Sequence, residues 1–240
     1  MRMGGDNKFK VKLFADGADI NEIVSVYEQG LVSGFTTNPT LMRKAGVKDY
    51  ADFARNLLKK ISDLPISFEV FSDDFSGMER EARKISRWGD SVYVKIPVTN
   101  TNGESSAELV RKLSKEGLKL NVTAIMTTSQ VQTISEVLSP DTPSIVSVFA
   151  GRIADTGRDP IPIIKKSLKI LAHLPHTELL WASSRELFNI FQADLAGCHI
   201  ITVTNDILKK IPMIGRDLGE LSLDTVKMFY SDARTAGYRI

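Results

Sequence analysis

The sequence predicts an α/β protein, a single (β/α)8 barrel with an additional C-terminal helix. Strand-like apolar runs and amphipathic helical runs alternate eight times over the 240 residues, at spacings of roughly 20 to 35, which suits a barrel of βα units in size and order. Several of the strand-like runs also alternate apolar with polar residues, as a barrel needs when its outer strand face packs on helices and its inner face fills the lumen. A doubly wound open sheet alternates strands and helices too, but its usual G-x-G-x-x-G after the first strand is absent. No linker, low-complexity tract or charge block divides the chain. One domain is therefore expected over 1–240, with 1–7 a frayed leader and 221–236 the extra helix.

Lys10–Ala15 reads as the first strand. Asp19 caps a helix whose Ile20, Ile23, Val24 and Tyr27 share a face and which stops at Gly30. Ser33–Asn38 is the second strand, followed by a helix capped by Asp49 that buries Phe53, Leu57 and Ile61. Pro65–Phe71 is the third strand, with a helix over Gly77–Trp88, and Ser91–Thr99 is the fourth, with a helix over Ser106–Lys115. Leu118–Ile125 precedes a helix over Ser129–Leu138. Ser144–Phe149 precedes one that opens at Asp159-Pro160 and runs to Leu174. Leu179–Ser183 precedes a helix from Glu186 to Leu195, and His199–Thr204 is the eighth strand.

Composition bounds the function classes. The charged share of 25% is ordinary for a soluble globular protein, and the net charge of +2 argues against bulk binding of nucleic acid or membrane. The single cysteine, Cys198, excludes an intramolecular disulfide and suits a reducing compartment. No apolar run approaches the length of a membrane span, and the N-terminal stretch has no apolar core of a signal peptide, so a cytoplasmic location is expected. His173, His176 and His199 are too scattered for a metal site.

The fourth strand carries the most informative residue. In SVYVKIPVT, Val92, Val94, Ile96 and Val98 share one face and Tyr93, Lys95, Pro97 and Thr99 the other. A lysine is costly to bury charged, and its neutral amine is the form that attacks carbonyls. The same parity sends Ser67 and Glu69, Asn121 and Thr123, and Ser147 and Phe149 inward, while Asp16 and Asn38 end the first two strands. Ser183 and Arg185 lie two apart at the seventh. Taken singly, an inward Asn or Ser is more often a satisfied core polar group, and Glu69 would serve as a salt-bridge partner of Lys95. Their convergence is harder to explain, because a purely structural barrel would fill those layers with Val, Ile and Leu.

Asp16, TTNPT at Thr36–Thr40, Glu69 in FEV, KIPVT at Lys95–Thr99, Asn121-Val122-Thr123, SVFAGRIAD at Ser147–Asp155 and ASSR at Ala182–Arg185 together resemble the transaldolases, from Lys10 to about Thr204. The resemblance implies a Schiff-base enzyme on a (β/α)8 barrel, moving a dihydroxyacetone unit from a ketose phosphate such as fructose 6-phosphate or sedoheptulose 7-phosphate to an aldose phosphate. Lys95 would attack the ketone, and Asp16 would move the C4 hydroxyl proton. Glu69 with Thr123 would pass protons through a water. Asn38, Asn121 and Ser147 would hold the dihydroxyacetone hydroxyls, and Arg152, Arg185 and Ser183 the phosphate, with Phe149 lining the site. The resemblance further implies no metal or organic cofactor, sugar phosphates as partners, a homo-oligomer (dimer, pentamer or decamer) and a place in the pentose phosphate route or a sugar-modifying one.

The match departs at Gly17, where the family usually has Thr or Ser, at Ser184 and Glu186, which bear on acceptor preference, and at Met126. Three other readings stay open. One is a fructose 6-phosphate aldolase that releases free dihydroxyacetone; that subgroup carries Gln and Tyr where this chain has Glu69 and Phe149. Another is a different class I aldolase, against which stands the lysine on the fourth strand rather than the sixth. The last is a catalytically silent barrel used for binding.

Overall fold

Short runs rich in Val, Ile, Leu and Phe, each followed by an amphipathic helix, have one closed solution here. In the computed structural model, which describes residues 9–240, eight parallel strands form a closed barrel in sequence order, the eighth pairing with the first. The leader expected over residues 1–7 lies outside the described residues.

The order is β1 (Lys12–Asp16), α1 (Ile20–Glu28), β2 (Gly34–Thr36), α2 (Pro39–Lys44), α3 (Tyr50–Lys60), β3 (Ile66–Glu69), α4 (Phe75–Ser86), β4 (Val92–Pro97) and α5 (Ala107–Lys115). It continues with β5 (Leu120–Ile125), α6 (Thr128–Ser135), β6 (Ser144–Val148), α7 (Ala150–Ala154), α8 (Ile161–Leu171), β7 (Thr177–Trp181), α9 (Phe188–Ala196), β8 (Ile200–Thr204) and α10 (Asn205–Leu208). Two of the three expected aspartate caps are in place; at the third start the cap position falls on Pro160, and Asp159 stands one residue earlier, accepting from the Ile161 amide. The Asp19 carboxylate accepts from the amides of Asn21 and Glu22, and Asp49 accepts from Asp52, supplying acceptors to amides that a helix start leaves unpaired.

Three short helices, α2, α7 and α10, are additional to the expected ones. Each is six residues or fewer, too short for a 3.6-residue period to show in the sequence. The start of α2 is nonetheless written locally, since Asn38 caps it and Pro39 takes its first position.

Between strands and helices lies a continuous apolar shell: Ile66, Phe68, Val94, Ile96, Leu120, Val122, Val146, Leu179 and Trp181 are all buried. Inside the barrel, Phe14, Ile145, Leu180, Ala182 and Ile200 form a second cluster, with Tyr93 and Phe149 packed against it. This plug needs Gly34 on β2, where a Cβ would stand 2.5 Å from the Phe14 ring. The plug fills the barrel below the site and leaves the polar residues nearer the strand C-terminal ends facing open space.

The barrel unit ends at Leu208, and Lys209–Ile240 forms a second unit. Its helix α11 (Leu218–Thr235) starts three residues before the expected 221, because Asp217 caps it by accepting from the Glu220 amide. None of its 18 residues is buried.

Candidate active site

Strand register decides which polar side chains meet. Glu69 pairs with Lys95 across β3 and β4, Lys95 with Asn121 across β4 and β5, and Pro97 with Thr123. With inward parity fixed, these pairings set Glu69, Lys95 and Asn121 side by side on one rung. They line a cavity of about 370 Å3, and all eleven residues singled out in the sequence border it.

Lys95 is buried, with 6% of its surface exposed. Its Nζ donates to the Thr37 carbonyl at 2.7 Å and lies 3.1 Å from Glu69 Oε2. The salt bridge considered from sequence therefore exists. It does not consume the amine, which also borders the cavity.

Asp16, at the end of β1, accepts from the Thr36 hydroxyl at 2.9 Å and from Asn38 Nδ2 at 3.1 Å. Thr36 is in turn 2.6 Å from the Thr202 hydroxyl of β8. Asn38 divides its amide, its oxygen capping α2 at the Leu41 amide and its nitrogen holding Asp16. Burial pushes the Asp16 carboxyl above the ordinary aspartate value; the positive charge of Lys95 and the Thr36 hydrogen bond pull the other way, and the Glu69 carboxylate adds to the rise. Both carboxylates thus line the cavity with the amine, and burial biases Asp16 toward holding a proton.

On the neighbouring rungs Asn121 Nδ2 donates to Ser67 Oγ at 3.0 Å, and Ser147 Oγ donates to Asn121 Oδ1 at 2.7 Å. This chain orients Asn121 and leaves its second amide N–H and the Ser147 lone pairs free of protein acceptors or donors in that chain. Thr123 Oγ1 is buried and lacks a hydrogen-bond partner, although the Cα pairing of Pro97 with Thr123 places it near Lys95. A buried hydroxyl without a partner, on a residue that lines the cavity, marks a place for water or ligand.

At two strand ends the structure departs from the expected parity. β7 ends at Trp181, and its alternation sends Leu180 and Ala182 inward. Ser183 is thus not an inward strand residue; it reaches the cavity because its φ of 62° turns the chain. Ala124, expected on the outer face, has the same φ and sits at a register shift between Val122 and Ile125. This bulge turns Ala124 to the cavity and restores Ile125 to the buried outer face.

The loop after β7 packs on α7. Gly151 donates to the Ala182 carbonyl, and a Cβ on it would stand 1.6 Å from the Ser183 oxygen. Arg152, from α7, and Arg185, from the loop after β7, both line the cavity. Arg185 donates from Nε and Nη2 to the two oxygens of Asp155, and this bonding holds the Asp155 carboxyl below the ordinary aspartate range. The departure at Ser184 has a structural use, since its hydroxyl ties the loop to the Thr202 carbonyl at 2.7 Å. Glu186 is exposed, and its amide donates to Asn189 Oδ1.

From the sequence, Thr36 has no role beyond its place in TTNPT, and Thr202 and Tyr50 are not singled out. The first two share the inward parity of their strands and were open to the same argument. Tyr50 comes from a helix start and was not. Among the described residues no group of three or more His, Cys, Asp or Glu is placed to hold a metal ion, and no helix is long and apolar enough to cross a membrane.

Comparisons with known proteins bear on this arrangement. Residues 13–239 match the model of the family described as Transaldolase/Fructose-6-phosphate aldolase. A protein named "Probable transaldolase" from Thermoanaerobacter sp. (strain X514) is 35% identical over 231 residues, covering 96% of this chain and all of the relative. One of the same name from Thermoplasma volcanium is 38% identical over 202 residues, covering 83% of this chain and 86% of the relative. Among solved structures, KGPDC from Streptococcus mutans superposes with a TM-score of 0.56 at 10% identity, over 83% of this chain and 90% of that one; at that identity the likeness is one of fold. A family match over nearly the whole chain, on a closed barrel that gathers the motif residues around one cavity, gives a single conclusion: the chain belongs to the transaldolase/fructose-6-phosphate aldolase family.

Proposed function

We propose that the protein is a transaldolase working through a Schiff base on Lys95, with a ketose phosphate as donor and an aldose phosphate as acceptor. The observation that carries this reading is a buried lysine, bonded to one carbonyl and one carboxylate, bordering a cavity that Asp16 also lines. The names of the curated relatives support it.

In this reading the Lys95 amine adds to the donor's ketone carbon, and water leaves as the imine forms. Glu69 moves the protons of that exchange, with a water held at the unpartnered Thr123 hydroxyl. Asp16 takes the proton from the C4 hydroxyl as the C3–C4 bond breaks, and the electron pair flows into the protonated imine to give an enamine. The aldose product leaves. The enamine attacks the aldehyde carbon of the acceptor, Asp16 returns its proton to the new alkoxide, and water releases the longer ketose from Lys95. A carboxyl whose affinity for protons is raised by burial suits a group that must hold a proton between two half-reactions. Asn38, Asn121 and Ser147 bind the hydroxyls of the three-carbon unit.

Arg152, Arg185 and the Ser183 loop bind the phosphate, whose oxygens suit guanidinium forks. Asp155 holds Arg185 until a phosphate displaces it. Gly151→Ala tests this assignment, because its methyl must push the Ser183 carbonyl and hence the loop. The expected result is a KM for phosphorylated ketoses raised about tenfold or more, with covalent trapping of unphosphorylated dihydroxyacetone within about twofold of the parent. Equal loss with both would place the damage at Lys95 instead.

The fructose 6-phosphate aldolase reading differs in the fate of the enamine. Phe149 at the cavity wall offers no hydroxyl to help water resolve it, which favours transfer over release. The test is to supply fructose 6-phosphate with and without erythrose 4-phosphate and follow glyceraldehyde 3-phosphate. Sustained product only with the acceptor supports the transferase. Sustained product without it, accompanied by free dihydroxyacetone, supports the aldolase.

A further inference from the structure

The ladder between β2 and β3 contains one missing rung. Phe35 donates to the Pro65 carbonyl and Thr37 to the Ser67 carbonyl. In a parallel ladder the next bond runs from the Glu69 amide to the Thr37 carbonyl. That bond is replaced on both sides. The Glu69 amide donates instead to the Tyr50 hydroxyl at 2.7 Å, and the Thr37 carbonyl accepts from Lys95 Nζ at 2.7 Å.

We propose that Tyr50 is a positioning residue for Lys95: its hydroxyl accepts the hydrogen bond of the Glu69 amide, and so leaves the Thr37 carbonyl to hold the Lys95 amine beside the Glu69 carboxylate. Buried amides need a partner, so without Tyr50 the Glu69 amide would compete for that carbonyl. The hydroxyl is itself fixed. Tyr50 opens α3, its ring packs on Phe68, Phe71 and Trp88 with centroids 6.0, 4.6 and 5.7 Å away, and its hydroxyl also interacts with the Thr37 side chain. Burial pushes the phenol up to about 12, so it stays protonated through the working pH range. The part assigned to Lys95 rests on the Schiff-base reading. The hydrogen-bond exchange does not.

Tyr50→Phe tests both, since it keeps the ring in its cluster and deletes only the hydroxyl. In a crystal structure of this variant the Glu69 amide is expected to bond the Thr37 carbonyl, with Lys95 Nζ displaced from it. An Nζ still on that carbonyl, with the amide bound to water, would overturn the inference whatever the enzyme's substrate. In kinetics, kcat and the rate of borohydride trapping of a ketose phosphate are expected to fall about tenfold, the equivalent of one hydrogen bond, with KM changed less than twofold. Trp88→Phe, which disturbs the same cluster but keeps the hydroxyl, should lower Tm and leave the trapping rate at the parent level. Equal trapping losses in the two variants would reduce Tyr50 to a packing role. If the parent itself is not trapped, the Schiff-base reading fails, and the variant's crystal structure alone decides the hydrogen-bond exchange.

Discussion

Lys95→Met is expected to abolish transfer, by about 10^4-fold or more, and to leave a folded barrel. A nucleophile that forms the covalent intermediate has no substitute among its neighbours, so its loss removes the route rather than slowing it. Methionine is close to lysine in length and keeps the same inward position as Tyr93, which packs on the apolar plug of the barrel two residues earlier. The variant does remove the partner of the Glu69 carboxylate, which lies 3.1 Å from Nζ with 16% of its side chain exposed. Breaking such a pair costs about 1–3 kcal/mol when the remaining group still reaches water. Thermal melts should show a Tm several degrees lower. Adding Glu69→Gln, which removes the stranded charge, should recover most of that loss and none of the activity. A Lys95→Met protein with a tenth or more of the parent's turnover would exclude the Schiff-base route.

Asp16→Asn is expected to separate imine formation from carbon–carbon cleavage. Without a base at C4, turnover should fall by about 10^2–10^4-fold, while borohydride still traps a ketose on Lys95, now with its full carbon chain. The amide can be accommodated. Its oxygen can accept from Asn38, and its nitrogen can donate to Thr36, whose hydroxyl is free to turn and donate to Thr202.

The same variant should be more stable than the parent at neutral pH. The folded-state affinity of Asp16 for its proton is raised, chiefly by burial. The folded protein therefore holds that proton to a higher pH than the unfolded chain does, and stability falls as pH rises from the ordinary aspartate value of 3.8 through the folded one. Asparagine has no such term. Its Tm advantage should be present at pH 7 and shrink toward zero as pH falls to about 3.8. A constant difference across that range would place the effect in packing instead. This is the stability–activity exchange expected where a carboxylate is buried for use rather than for folding.

The sequence made the inner rung of Glu69, Lys95 and Asn121 legible, because period-two alternation is a local property and three neighbouring strands obeyed it. It could not show that the three strands are in a register that sets those residues side by side, which depends on barrel closure. Ser183 belongs to the site through the family resemblance, and it faces the cavity because a left-handed residue turns the chain after β7. The bulge at Ala124 escaped notice for a similar reason, since alanine carries no signal for positive φ. The hold of Asp155 on Arg185 depends on α7, a helix too short to announce itself. The Tyr50 rung is the least legible feature of all, because a broken ladder bond is visible only where three segments of chain meet.

The most direct measurement is borohydride reduction of the protein in the presence of fructose 6-phosphate, followed by mass mapping of its lysines. A reduced three-carbon adduct on Lys95, absent from Lys95→Met and cleared by erythrose 4-phosphate added before the reductant, is the expected result. Turnover with no adduct on any lysine, or with the adduct on a lysine other than Lys95, would contradict it.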